Sequence, residues 1–512
     1  MTMKKIFTLF TMLAVLLIAK AQNGYRTLTP QQMQHDLSVL QSAWTNLHPG
    51  LYRFNSPEQI QSYFTALNEQ CSRPMDERKF YVLLAQLSEK IKCGHTFLNP
   101  LNLDRATQQR ILPERVVPVF FEVVDGKKFI ITHNASGIDA MTNGDEITAI
   151  NNIPVRRIID SLLTVSRSDG RNALGKKLNN INQTPDEADA YSLFDIFFPL
   201  FFPSNGGIMT LTVSEKKKSV GLGVAIGKDV RDVDVYLVTP NERVMLYEKL
   251  YGKIPAGEQS WKYKMLNKET AYMKFGTFSF WNSKFDTKKY IDSIFLDLSK
   301  RSNIKNLVVD IRNNEGGDNS GDYILSYLTD KKIGCDDPDR RCYRYLTIPD
   351  SLLGYLDTWD NSFKKPKDPQ QFTKNELGLY EQKTDGKPCS HIEPKPYVFT
   401  GNKYLLTNAK NSSAGFEMAR NFRTAGLGKI VGETTGGSQQ GINGGEFFFL
   451  TLPESKFEVD LPLIYNYHPN KEDRGIEPDA EIKTTQKDID KNRDAQLDFV
   501  LDVISGKKKI KA

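Results

Sequence analysis

Between residues 30 and 91 the apolar side chains recur every three to four positions, and from about residue 115 they recur every second position. The first spacing builds one face of a helix and the second one face of a strand. The helical stretch divides into amphipathic segments at about 30–47, 57–69 and 76–91, the first two joined by a histidine-bearing turn, His48-Pro49-Gly50-Leu51-Tyr52. Strands follow at 116–124 and 129–132, split by the hairpin signal Asp125-Gly126. After a helix near 157–165, further strands are expected at 209–213 and 233–238. Beyond residue 270 the pattern alternates: strand 272–275, helix 285–298, strand 306–311, helix 320–328, strand 404–407, helix 417–423. The run at 306–311 is almost continuously apolar, as in a strand covered on both faces. Such alternation predicts an α/β fold with a mostly parallel sheet. The polar stretch 357–396 has no period and reads as a surface insertion.

A chain of 512 residues exceeds one ordinary domain, and 39% hydrophobic with 25% charged residues describes a globular protein with a sizeable core. The net charge of +6 is small for this length, and the lysines at 507–511 read as a solvated tail, so no nucleic-acid partner is expected. At the N-terminus, Lys4-Lys5 precede an apolar stretch from Ile6 to Ile18 and the small-residue pattern Ala19-Lys20-Ala21. This is the form of a cleavable signal peptide, cut after Ala21. The stretch is short for a membrane span, so no integral span is expected in the mature protein, which should be periplasmic or secreted. Five cysteines make no disulfide scaffold. Cys335 and Cys342 flank a short polar loop and suit a local bridge, whereas Cys71 and Cys93 fall at opposite ends of neighbouring helices and do not. No Cys/His spacing fits a metal site, and no cofactor is implied.

The segment Asn408-Ala409-Lys410-Asn411-Ser412-Ser413-Ala414-Gly415-Phe416-Glu417 joins an apolar strand to a helix. A serine there lies beside unpaired backbone N–H groups at the positive end of a helix dipole. Acyl-transfer chemistry puts a nucleophile in such a place because the same N–H groups can hold an oxyanion. Taken alone, Ser413 would serve as well as an N-cap. Four further segments carry more: Cys93-Gly94-His95-Thr96; the run Gly144-Asp145-Glu146-Ile147 to Asn151-Asn152; Val308-Val309-Asp310-Ile311-Arg312-Asn313-Asn314-Glu315-Gly316-Gly317; and Gly432-Glu433-Thr434-Thr435-Gly436-Gly437 with Gly475-Ile476-Glu477-Pro478-Asp479.

Together, and in this order, the five segments resemble the C-terminal-processing (tail-specific) serine peptidases, a family that includes the tricorn core protease and interphotoreceptor retinoid-binding protein. The resemblance implies a crotonase/Clp-protease-like α/β core with a PDZ-like β-rich domain and an N-terminal helical cap. The corresponding division is signal peptide 1–21, helical cap region 22–113, PDZ-like domain with an insertion 114–255, serine peptidase core 265–500 and basic tail 501–512. It also implies an oxyanion hole formed by Gly316 or Gly317 with Ala414. Asp310 and Arg312 are expected to brace that turn. The bacterial processing peptidases take their base from a lysine in the turn after the serine, but Ser438 stands at that position here. They also carry a glutamate three residues after the serine, where this chain has Phe416. The tricorn branch uses a histidine upstream, which His95 matches, and a glutamate before the last motif, which Glu472 matches with Asp473 in reserve. The expected set is therefore Ser413 as nucleophile (Ser412 the lesser choice), His95 as base and Glu472 as the orienting acid. His48 and His468 read as structural. The activity implied is cleavage of peptides or partly unfolded proteins. The alternatives are a non-catalytic ligand- or peptide-binding protein on the same fold, as the retinoid-binding relatives suggest, and hydrolysis of a non-peptide ester or amide. The sequence is silent on oligomeric state.

Overall fold

The computed structural model describes residues 25–510 apart from 172, 188–189, 205, 216–228, 255–256, 282, 335–339 and 384–390. The signal-peptide segment and Cys335, half of the expected local bridge, lie outside the described residues. Cys71 and Cys93 are both free and buried, as their positions in the helical region imply.

The helical region folds as Pro30–Leu47, Pro57–Gln70 and Glu77–Glu89. The first two open with reciprocal capping boxes, Thr29 with Gln32 and Ser56 with Gln59, which satisfy N–H groups that helices leave unpaired. Met33, Leu37, Leu40 and Trp44 form the buried stripe of the first helix. These helices do not close a core of their own. Phe80 and Tyr81 pack on Phe457, and one apolar cluster runs from the helices through the β-rich region to strands Gly441–Thr451 and Glu458–Tyr467.

The β-rich region is an antiparallel sheet in the order Val119–Val124, Lys128–Asn134, Glu146–Ile150, Ile208–Ser214, Val230–Tyr236. Its tight turns are the two that the sequence marks. Asp125 and Gly126 adopt φ 53° and 68°, Asn151 and Asn152 φ 49° and 64°, the left-handed pairs that twist-matched hairpins need.

The third region holds a six-stranded sheet ordered Trp261–Asn267, Thr270–Phe275, Asn306–Asp310, Asn402–Thr407, Lys429–Gly432, Ala480–Glu481. All neighbours are parallel except the first pair, so the alternating pattern is realised as a mostly parallel sheet. Helices Thr287–Ser299, Ser320–Leu325 and Ser413–Thr424 contribute to the core on one face, and Ala495–Ile504 covers the other. That last helix corrects the expected boundary at 501, because Val500 and Val503 pack on the sheet and only the residues after Ile504 are tail.

A second, seven-stranded antiparallel sheet was not expected. It is centred on Gly441–Thr451 and Glu458–Tyr467 and takes in Arg340–Tyr343 and short strands from the 357–396 stretch. Strand Phe97–Leu98 joins it beside the central strand Glu458–Tyr467, pairing with Val459 and Asp460, and so carries the turn that holds His95 against this sheet.

Candidate active site

Parallel strands deliver their C-terminal ends to one side of a sheet, which is where open α/β folds bind ligands. Here the loops after Asp310 and Thr407 meet at that side. Asparagines stitch them together. Asn313 N–H donates to Asn408 Oδ1 at 3.0 Å, Asn408 Nδ2 donates to Asn313 Oδ1 at 2.6 Å, and Asn411 Nδ2 donates to the Ile311 and Asn314 carbonyls. Arg312 forks onto Asp310 and Asp494, and Tyr272 donates to Asp310 at 2.7 Å, so this ion pair braces the base of the turn.

Ser412 is extended (φ −144°, ψ 172°) and Ser413 swings to φ 49°, so the chain turns sharply into helix Ser413–Thr424. A non-glycine residue held there is strained, and strain of this kind gathers at functional sites. The bland reading of the serines fails, since no side chain caps this helix. Gly316 lies directly against the turn: a Cβ added to it would sit 2.7 Å from Ser413 Cβ and 2.8 Å from Ala414 N. The amides divide the two glycines. Gly316 N–H is taken by Asn314 Oδ1 at 2.8 Å, while the N–H groups of Gly317 and Ala414 have no protein acceptor among the described residues.

His95 sits in a turn closed by Thr96 N–H to Cys93 O. Gly94 N–H donates to Asp169 Oδ1 at 2.9 Å, so close that any Cβ at Gly94 would strike the carboxylate. The ring packs on Phe447, with centroids 5.7 Å apart. Its Nδ1 is buried without a partner among the described residues, leaving Nε2 as the accessible nitrogen. Burial lowers the pKa of His95 below the usual histidine value, with Asp169 opposing. Ser413, His95, Gly316 and Gly317 all line one cleft of about 600 Å³, walled by Phe447 and Trp359.

The structure does not bring Glu472 to this group. Its side chain is 76% exposed and pairs with Arg474 at 3.1 Å, because it lies on a loop where an arginine is the nearest counter-charge. Asp473 turns the other way. It accepts from Ser438 Oγ at 2.8 Å and Arg171 N–H at 3.0 Å and lies 3.6 Å from Arg53. Ser438, at the lysine position of the bacterial enzymes, is thus part of a clamp with Arg53 and Asp473. Phe416 is fully buried in the core. His48 is structural: Gly50 N–H donates to its Nδ1, so Nε2–H donates to Thr96 Oγ1 at 2.7 Å, and burial holds its pKa down to about 3. His468 accepts from Arg420.

Sequence reasoning misses Lys176. It comes from helix Leu174–Asn179, yet its buried ammonium pairs with Glu315 and reaches Lys410 O at 3.0 Å and Ser412 Oγ at 3.4 Å. Burial lowers the pKa of Lys176 while Glu315 opposes. Burial would raise Glu315, but Lys176, then Lys410 and Arg167, hold it at about 2. A lysine does approach the serines, from a segment far from the family's position. Nothing local in Leu174-Gly175-Lys176-Lys177 marks it, since such a run ordinarily faces water.

Comparison with known proteins bears on the same segments. Residues 269–482 match the family model of peptidase family S41. Mature CPAF is similar in structure, with a TM-score of 0.59 at 14% identity over 94% of this chain and 99% of that chain. A CPAF mutant gives 0.62 at 15% identity (93% and 96%), and mature CPAF complexed with lactacystin gives 0.60 at 14% (93% and 97%). At these identities the likeness concerns the fold. No curated protein matches the chain. Residues 269–482, which hold the serine turn and the glycine turn beside it, are thus the part of the chain similar to peptidase family S41, and the chain is a serine-type peptidase.

Proposed function

We propose that this is an exported serine endopeptidase that cleaves peptides or partly unfolded proteins through Ser413 and His95. The observation that carries this reading is the strained Ser413 turn, flanked by the unpaired N–H groups of Gly317 and Ala414, in one cleft with His95. Ser413 Oγ attacks the peptide carbonyl while His95 Nε2 takes its proton and returns it to the leaving amine. Gly317 and Ala414 hold the oxyanion, and water resolves the acyl-enzyme. A base with a lowered pKa stays neutral at physiological pH. The charge it gains in the transition state is offset by Asp169 and Glu315, the acids whose fields reach it. Asp169 is therefore the acid we assign to His95, in the place that the family resemblance gives to Glu472. Export rests on the N-terminal segment, with the periplasm as the destination.

The test is cleavage of reduced, carboxymethylated casein by the mature protein. Ser413→Ala should lower kcat by about 10⁴-fold or more, and His95→Ala by a comparable factor. A folded wild type that cuts neither protein nor ester substrates would favour the binding-protein alternative, and cleavage of esters alone would favour the non-peptide one.

A further inference from the structure

Lys262 and Lys274 are direct cross-strand partners in the antiparallel pair at the edge of the parallel sheet, and both line the cleft that holds Ser413. Like charges placed directly opposite one another destabilise a strand pair. Among the described residues neither ammonium has an ion-pair or hydrogen-bond partner, although the Lys274 charge acts on Asp310, its partner in the next strand, which is already bonded to Arg312 and Tyr272. Burial, and then the Lys274 charge, lowers the pKa of Lys262, with Asp186 opposing. Edge strands carry lysines to prevent aggregation, which would account for Lys262 and Lys264 on Trp261–Asn267. It does not account for Lys274, which is half-buried on the inner strand Thr270–Phe275. The acids lining the same cleft are Asp186 and Glu315, and Glu315 is already paired with Lys176. The cleft thus carries an excess of positive charge at one wall.

Resting on the peptidase reading above, we propose that Lys262 and Lys274 form a carboxylate-binding subsite that selects substrates with an acidic group at a fixed distance from the cleaved bond. A carboxylate set between two ammonium groups removes their mutual repulsion and gains charge-assisted hydrogen bonds. The group is an acidic side chain of the substrate.

The experiment uses the mature protein and quenched decapeptides in which Glu or Gln is scanned through each position, each made with a free and an amidated C-terminus. Wild type should prefer Glu over Gln at one position by about tenfold or more in kcat/KM, whether the C-terminus is free or amidated. A preference for free over amidated termini in place of that positional preference would overturn the side-chain subsite. In folded Lys262→Ala/Lys274→Ala protein that preference should collapse, in Lys262→Arg/Lys274→Arg it should survive, and in Lys262→Glu/Lys274→Glu it should reverse. Wild type that cleaves these peptides without charge preference, or a double-alanine variant that keeps it, overturns the subsite. Failure of the peptidase reading would look different: wild type would not react with a fluorophosphonate probe or cleave any member of the set.

Discussion

Ser413 and Gly316 define the site at the scale of single residues. Ser413 holds φ 49°, a conformation that costs a side-chain-bearing residue about 1–3 kcal/mol and that the surrounding asparagine network keeps in place. Gly316→Ala should therefore act mainly on chemistry. Its Cβ would meet Ser413 Cβ at 2.7 Å from a backbone already at φ 104°, pushing the nucleophile aside. A loss of about 100-fold in kcat/KM, with a much smaller shift in thermal unfolding, is expected. The acids separate in the same way. Asp169→Asn removes the charge that raises the His95 pKa, so the acid limb of the kcat/KM profile should move to lower pH as the rate falls by about tenfold. Glu472→Gln alters only an exposed pair with Arg474 and should leave both within about twofold. Ser413, His95 and the glycine turn are legible in the sequence because each is a local motif. Asp169 and Lys176 are not, because their roles come from burial against partners distant in the chain.

Strand Phe97–Leu98 ties the His95 turn to Val459 and Asp460, so the environment of Asp460 bears on the site at the scale of elements. Burial raises the Asp460 pKa to about 7; among the described residues Asn99 Nδ2 alone bonds to it and Oδ1 is left unpaired. An acid raised in the fold keeps a proton that the unfolded chain has lost, so stability falls as pH rises from about 4 to 7 and then levels off. Asp460→Asn should accordingly raise the unfolding temperature over wild type at pH 8 and lose most of that advantage by pH 5, measured by calorimetry. The parallel sheet is readable in sequence because strands covered on both faces are unbroken apolar runs. The second sheet is not, since Glu458–Tyr467 interrupts its apolar positions with Asp460, Pro462 and Asn466, and its strands pair with Gly441–Thr451, Arg340–Tyr343 and Phe97–Leu98.

For the whole molecule, packing is shared across the helical, β-rich and sheet regions. The cap helices, the β-rich region and the second sheet bury one apolar cluster, so His95 and Ser413 are brought together by parts that depend on each other. Lys176 crosses the same divide, from the insertion of the β-rich region to Glu315 and the serine turn. Lys176→Met should keep the fold but free Glu315 to face the cleft alone, raising the His95 pKa and moving the acid limb to higher pH. The central claim is that Ser413 is a nucleophile activated by His95. Its most direct test is to treat the mature protein with a fluorophosphonate and locate the adduct by peptide mass spectrometry. The adduct should lie on Ser413 in wild type and form far more slowly in His95→Ala. An adduct on Ser412, or a Ser413 adduct formed as quickly without His95, would contradict it.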